Sequence, residues 1–166
     1  MSESTVMFVF PGQGSQYAGM GSDLCAEFPV ADRIYSEANE ILGYDIKSLS
    51  ANGHEEELGL TRHTQPALLT HQAACLEVFR ELTGNAITAR VAAGHSLGEY
   101  TALVAAGVIS FADGLRLVKR RGELMGQHGE GGMLALGLTV EEARPLADRF
   151  YCQLASCNLP QQTVVG

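Results

Sequence analysis

Apolar positions along the chain switch between two periods, and the switches mark the elements. Val6 to Phe10 is an unbroken apolar run that stops at Pro11-Gly12, which reads as a buried strand entering a loop. Helical spacing follows from about Gly19 to Phe28, and again from Pro29 to Leu42, where Gly43 supplies the stop. Ser48 to Gly59 is polar and carries the acidic run Glu55-Glu56-Glu57, so it reads as an irregular, solvated stretch. Pro66 suits the first turn of a helix that continues through Leu82 to Gly84. Leu68, Leu69, Cys75, Leu76 and Phe79 fall largely on one face of it. Ala86 to Ala93 is a second strand. A glycine-bounded turn follows, then a helix of small residues from Leu97 to Ala106, ended by Gly107. Ser110, with Asp113 three residues on, caps a further helix that runs to about Gln127.

The glycine-rich joint Gly129 to Gly132 marks a subdomain boundary, which predicts one unit over 1–130 and a second over 131–166. Met133 to Leu138 is strand-like. Thr139 and Glu142 form a capping box for a helix ending near Phe150, and Tyr151 to Ser156 and Gln162 to Val165 are two more strands. The order is β-α-α-α-β-α-α, then β-α-β-β. The first part predicts an α/β layer with a parallel sheet, and the second the start of a split βαβ pattern of the ferredoxin-like kind.

Composition narrows the class. The chain has 166 residues, 46% of them apolar and 18% charged, which is a globular balance. Lys plus Arg is 11 and Asp plus Glu is 19, a net charge of 11 − 19 = −8. An acidic chain without a basic run is a poor partner for nucleic acid or an anionic membrane. The longest apolar stretch, Ala102 to Ile109, is far short of a membrane span. Met1-Ser2-Glu3-Ser4 has no basic segment ahead of an apolar run, so a cytoplasmic location is expected. Cys25, Cys75, Cys152 and Cys157 have no framework spacing and read as reduced, buried thiols. No histidine or cysteine spacing fits a metal site. Glycine is in excess, 19 residues, and it gathers around two loops where backbone must approach something closely.

One of those loops is Gly94-His95-Ser96-Leu97-Gly98, a G-x-S-x-G between a predicted strand and a predicted helix. That context makes it a nucleophile elbow, with Ser96 at the tip and the Leu97 amide aimed at a forming oxyanion. An ordinary serine N-cap fits the same residues. The other loop, Pro11-Gly12-Gln13-Gly14-Ser15-Gln16, follows the first strand, where open α/β sheets bind ligands, and it reads equally as a plain turn. It lacks the Gly-Lys-Ser/Thr of a phosphate loop. Arg121 shares the side of Leu117, Val118 and Leu124 on its helix and so needs an acceptor there. It reads either as a clamp for a substrate carboxylate or as a structural or snorkelling arginine. His95 adjoins Ser96 across a sharp turn and points elsewhere, which fits a supporting hydrogen bond better than a general base. His54, His63, His71 and His128 read as surface or packing residues.

Taken in order and spacing, Phe10-Pro11-Gly12-Gln13-Gly14-Ser15-Gln16, Thr64-Gln65-Pro66-Ala67, Gly94-His95-Ser96-Leu97-Gly98-Glu99-Tyr100 and Arg121-Gly122 resemble malonyl-CoA:acyl carrier protein transacylases, the acyltransferases of fatty acid and polyketide synthesis. The resemblance runs over nearly the whole chain. It implies an α/β-hydrolase-like subdomain that carries the serine and an inserted ferredoxin-like subdomain. It implies that Ser96 takes an acyl group from coenzyme A and hands it to the phosphopantetheine thiol of an acyl carrier protein, free or within a synthase. Gln13 and Leu97 amides would hold the oxyanion, Arg121 would pair with the free carboxylate of a malonyl group, and Gln65 would line the site. No cofactor is implied, since the coenzyme A thioester is the substrate.

Members of that family run to about twice this length, beyond the usual single domain. Their catalytic histidine lies in the later part, and Asn158-Leu159-Pro160-Gln161-Gln162 resembles a turn within their small subdomain. The chain therefore reads as the N-terminal portion of an acyltransferase. It is expected to fold poorly and to lack useful transferase activity by itself, because a serine without its base is a weak nucleophile and a sheet cut this way exposes part of its core. The start at Met1 fits a free-standing enzyme or the head of a fusion. Two other readings fit the residues: a thioester hydrolase on the same scaffold, or a remnant that only docks to a carrier protein. Arg116, Lys119 and Arg120 are the candidate basic patch for an acidic carrier.

Overall fold

The computed structural model describes residues 6–166, so Met1-Ser2-Glu3-Ser4 lies outside the described residues. The chain forms two compact units that divide between His128 and Gly129. The fold class is α/β. In the first unit, strands β1 (Val6–Phe10) and β2 (Ala89–Gly94) pair in parallel, with Phe8 opposite Ala92 and Phe10 opposite Gly94. Between them come α1 (Ser22–Glu27), α2 (Pro29–Leu42), α3 (Ile46–Asn52), α4 (Glu55–Leu58) and α5 (Thr61–Leu82). After β2 come α6 (Leu97–Ala105) and α7 (Phe111–His128).

β1 is buried on one face only. Phe8 and Phe10 pack with Leu76, Ala92 and Ala102, and Phe8 meets Phe79 edge-on. The alternating Met7 and Val9 are 52% and 68% exposed. The main core is helical. Leu68 and Leu69 of α5 pack with Leu115 and Val118 of α7, Ile46, Leu58 and Leu97. Removing any of these side chains from water contributes about 1.5–3 kcal/mol.

Three expectations need correction. The stretch 48–59 is largely helical: α3 runs through Asn52 and α4 covers Glu55–Leu58, with Gly53 and His54 between them. The Asp45 carboxylate caps α3 by accepting from the Ser48 amide at 2.9 Å, and the fully buried Ile46 and Leu58 anchor the two short helices. Pro66 does not open α5, which begins at Thr61. The Leu60 carbonyl accepts both the amide and the hydroxyl of Thr64, and this fixes the first turn. Proline then forfeits one bond, to the Arg62 carbonyl, one turn into a helix that is buried nearly all round from Thr64 to Ala74. Cys75 is exposed and does not share the buried face.

The second unit holds β3 (Leu134–Leu136), α8 (Val140–Arg149), β4 (Leu154–Leu159) and β5 (Gln162–Val165). Its sheet has the order β3-β5-β4, antiparallel throughout, so α8 crosses between two strands that flank a third. This is a split βαβ unit. The predicted capping box is present: Thr139 accepts from the Glu142 amide, and Glu142 from the Thr139 amide. Among the described residues no helix is long and apolar enough to cross a membrane.

Candidate active site

The site is built where β2 turns into α6. His95 still donates its amide to the Phe10 carbonyl at 3.0 Å, extending the sheet pairing by one residue. Gly98 then donates back to the His95 carbonyl at 2.9 Å. Between them Ser96 sits at φ 51° and ψ −101°, a conformation that non-glycine residues rarely adopt. Such strain costs on the order of 1–3 kcal/mol and persists only where the surroundings enforce it. Two glycines allow the turn to close. A Cβ on Gly94 would lie 1.9 Å from the Gly98 carbonyl carbon, and one on Gly98 would lie 2.1 Å from the Phe10 oxygen. Ser96 makes no side-chain cap to α6, so the N-cap alternative does not describe its hydroxyl. The Leu97 amide, first in the helix, has no intrahelical acceptor and lies beside the serine.

The loop after β1 is pressed against this turn. A Cβ on Gly12 would lie 2.5 Å from the His95 oxygen. Gln72 of α5 donates to the Pro11 carbonyl at 2.8 Å, while Thr101 of α6 donates to the Gln72 carbonyl oxygen at 2.5 Å. Both side chains are buried, so this three-way link fixes where residues 11–14 run. Gln13 is exposed, and its side chain donates to the Thr61 hydroxyl at 3.3 Å. His95 is exposed, and its Nδ1 would lie 3.0 Å from a Cβ on Gly12, so its ring sits beside the loop after β1.

Arg121 of α7 enters from the other side. Its Nη2 donates to Ser96 Oγ at 2.9 Å and its Nη1 to Gln65 Oε1 at 2.8 Å. The guanidinium carbon lies 5.7 Å from the centre of the Tyr100 ring. Neither structural alternative describes this arginine, because its bonds go to two neutral side chains of the site and not to a carboxylate or to solvent alone. The apolar side expected for it is only partly right, since Val118 is buried while Leu117 and Leu124 are exposed. The basic cluster is engaged within the chain. Lys119 donates to the Leu42 carbonyl, Arg116 pairs with Asp113, and Arg120 pairs with Glu123.

Ser96, Gln65 and Arg121 are thus brought together, with Gln13 and Leu97 on the neighbouring backbone. Sequence reasoning missed Gln72, Thr101 and Met125. All three sit at helical spacing from residues it did name, but a lone polar or sulfur side chain inside a helical pattern carries no signal of its own.

Residues 7–166 match the family of the acyl transferase domain. The malonyl CoA-acyl carrier protein transacylase of Bacillus subtilis (strain 168) is 46% identical over 172 residues, which cover 98% of this chain and 53% of the relative. The structure of an acyl carrier protein S-malonyltransferase from Vibrio cholerae O1 biovar eltor matches with a TM-score of 0.88 at 40% identity, over 98% of this chain and 55% of that one. A malonyl-transacylase solved in complex with its type II polyketide synthase acyl-carrier protein matches with a TM-score of 0.88 at 42% identity, over 98% and 54%. The chain spans about half the length of these relatives. With that match extending over residues 7–166, the chain belongs to the acyl transferase domain family.

Proposed function

We propose that this chain carries the nucleophile and substrate-carboxylate half of a cytoplasmic malonyl-CoA:acyl carrier protein transacylase. The observation that carries the reading is the double engagement of Arg121 with Ser96 and Gln65. A guanidinium held within hydrogen-bond distance of a strained serine suits an acyl group that ends in a free carboxylate. A neutral acyl chain would leave that charge unpaired.

In the reaction, Ser96 Oγ attacks the thioester carbonyl and loses its proton to a base. The C–S bond breaks, and coenzyme A leaves as a thiol with a proton returned to sulfur. The carrier's phosphopantetheine thiol then attacks the acyl-serine, the C–O bond breaks, and Ser96 regains its proton. The Leu97 and Gln13 amides would stabilise the oxyanion of both steps. The family resemblance assigns the base to a histidine in the part of the relatives that this chain does not span. The same resemblance supports the identification of the two units as parts of a hydrolase-like and a ferredoxin-like subdomain.

The test is intact-protein mass spectrometry after exposure to malonyl-CoA, for the chain alone and for the chain mixed with the remaining half of a relative. The expected result is a malonyl adduct on Ser96 in the mixture, absent from S96A and discharged by a carrier-protein thiol faster than by water. No adduct in either sample, or an adduct that S96A retains, would overturn the reading.

A further inference from the structure

Gln65 is fully buried, and its carboxamide is used at both ends. Oε1 accepts from Arg121 Nη1 at 2.8 Å, and Nε2 donates to the thioether sulfur of Met125 at 3.2 Å. An amide can be turned end for end at almost no cost in shape, so something must choose its orientation. Here both neighbours choose alike. A guanidinium has only donors, which requires the oxygen on its side. A thioether has no hydrogen to give and can only accept, which requires the NH₂ on the other.

The helices make the arrangement possible. Arg121 and Met125 are four residues apart on α7 and therefore lie on one face. Gly122 between them lets α7 approach the first turn of α5, since a Cβ there would lie 2.7 Å from the Thr61 carbonyl oxygen. At that separation a single glutamine side chain spans both.

We infer that Met125 is a positioning residue for the carboxylate clamp: its sulfur fixes the Gln65 amide, and the amide in turn fixes Arg121 against Ser96. The inference rests on the transacylase reading for its substrate. Leucine at 125 keeps the volume but removes the acceptor, leaving a buried NH₂ without a partner beside a guanidinium. The amide is then free to turn, and Arg121 loses the contact that aims it. Glutamine at 125 restores an acceptor at similar length. A packing role and a positioning role therefore rank the two substitutions oppositely.

Malonyl-CoA and acetyl-CoA would be titrated by calorimetry into S96A, S96A/M125L and S96A/M125Q, each combined with the remaining half of a relative and with the serine removed to prevent acylation. The expected result is malonyl-over-acetyl selectivity that drops about tenfold with leucine and is largely recovered with glutamine. Selectivity kept with leucine but lost with glutamine would assign packing to Met125 and overturn the inference. Binding of neither thioester by S96A would overturn the transacylase reading and this inference with it. A readout independent of ligand is the ¹⁵N side-chain amide of Gln65, whose protons should exchange with water faster in M125L than in wild type or M125Q. Equal exchange in all three would also overturn the inference.

Discussion

Arg121 Nη2 and Ser96 Oγ are 2.9 Å apart, so the guanidinium that would hold a substrate's carboxylate is bonded to the hydroxyl that would attack its carbonyl. A carboxylate entering the site competes for that guanidinium with a charged, forked acceptor, which wins over a neutral hydroxyl. Its arrival would free a lone pair on Ser96, while a neutral acyl group would leave the arginine where it is. Recognition and release of the nucleophile would then be one event. Hydrogen bonds to charged groups are worth about 1.5–3 kcal/mol, so R121A should cut malonyl loading of Ser96 about ten- to a hundredfold and acetyl loading much less. R121K should resemble alanine, because a single ammonium cannot serve Gln65 and a carboxylate with a planar fork. Mass spectrometry of the acyl-enzyme formed from an equal mixture of the two thioesters measures the ratio, and an unchanged ratio would remove Arg121 from selection.

The glycines of the elbow should not be equivalent to those of the loops. Alanine at 94 or 98 drives a methyl group to 1.9 or 2.1 Å from backbone that cannot move without breaking the turn. Overpacking of this kind costs about 3 kcal/mol or more, and these variants should be largely insoluble or melt many degrees lower. G14A meets nothing within 4 Å and carries only the strain of φ 104°, about 1–2 kcal/mol. Thermal unfolding of the three variants should therefore separate G14A from the other two. Equal losses would mean that the close approach of β1, β2 and α6 is not what the glycines serve.

The strand-to-helix turn was legible because its signal is local: Gly94 and Gly98 bracket a serine at a switch of period. Arg121 was singled out for an apolar side of which only Val118 is buried, and its contacts with Ser96 and Gln65 come from the packing of α7 on α5. What was not legible depends on tertiary packing. α3 and α4 are too short to show a period, and their place is set by the burial of Ile46 and Leu58 from below. Pro66 signals a first turn by propensity, yet α5 starts five residues earlier because Thr64 secures the Leu60 carbonyl. Nothing in residues 72, 101 and 125 says which partner across the fold each will meet.

Gln72 makes that last point testable. It joins the Pro11 carbonyl to the Thr101 hydroxyl and so ties the loop carrying Gln13 to both α5 and α6. Q72L strands the buried Thr101 hydroxyl, at a cost of about 1–3 kcal/mol, and removes the donor to the half-buried Pro11 carbonyl. Denaturant unfolding should show a loss of about 2–4 kcal/mol. Adding T101V removes one stranded partner, and the double variant should recover part of that loss. A strictly additive double variant would show that the two residues do not act as a unit. If residues 11–14 supply an oxyanion donor, Q72L should also slow acylation of Ser96 while leaving malonyl-CoA binding to S96A/Q72L unchanged.

His71 predicts how the first unit responds to acid. Tyr35 hydroxyl lies 3.2 Å from its Nδ1, and Cys75 Sγ lies 3.6 Å from its Nε2. With the ring neutral, one ring nitrogen donates and the other accepts, so the tyrosine hydroxyl and the thiol can both be served. Burial disfavours the imidazolium and holds the His71 pKa below its ordinary value of 6.5, with Asp23 opposing in part. In the unfolded chain the ring titrates at the ordinary value. Between the two values the unfolded state binds more protons, so stability rises with pH across that window. It is fully present above about 6.5. It falls as pH drops through 6.5 and is lost completely below the depressed folded-state value. Asp45 and Glu142 are held below the usual carboxylate range, Asp45 chiefly by the Ser48 amide and Glu142 by the Thr139 amide, so their contributions disappear at more acid pH. Urea midpoints measured from pH 8 down to 5 should decline for the wild-type chain and flatten for H71Q, which keeps a hydrogen-bonding side chain but does not titrate. Parallel curves for the two proteins would show that His71 is as easily protonated folded as unfolded.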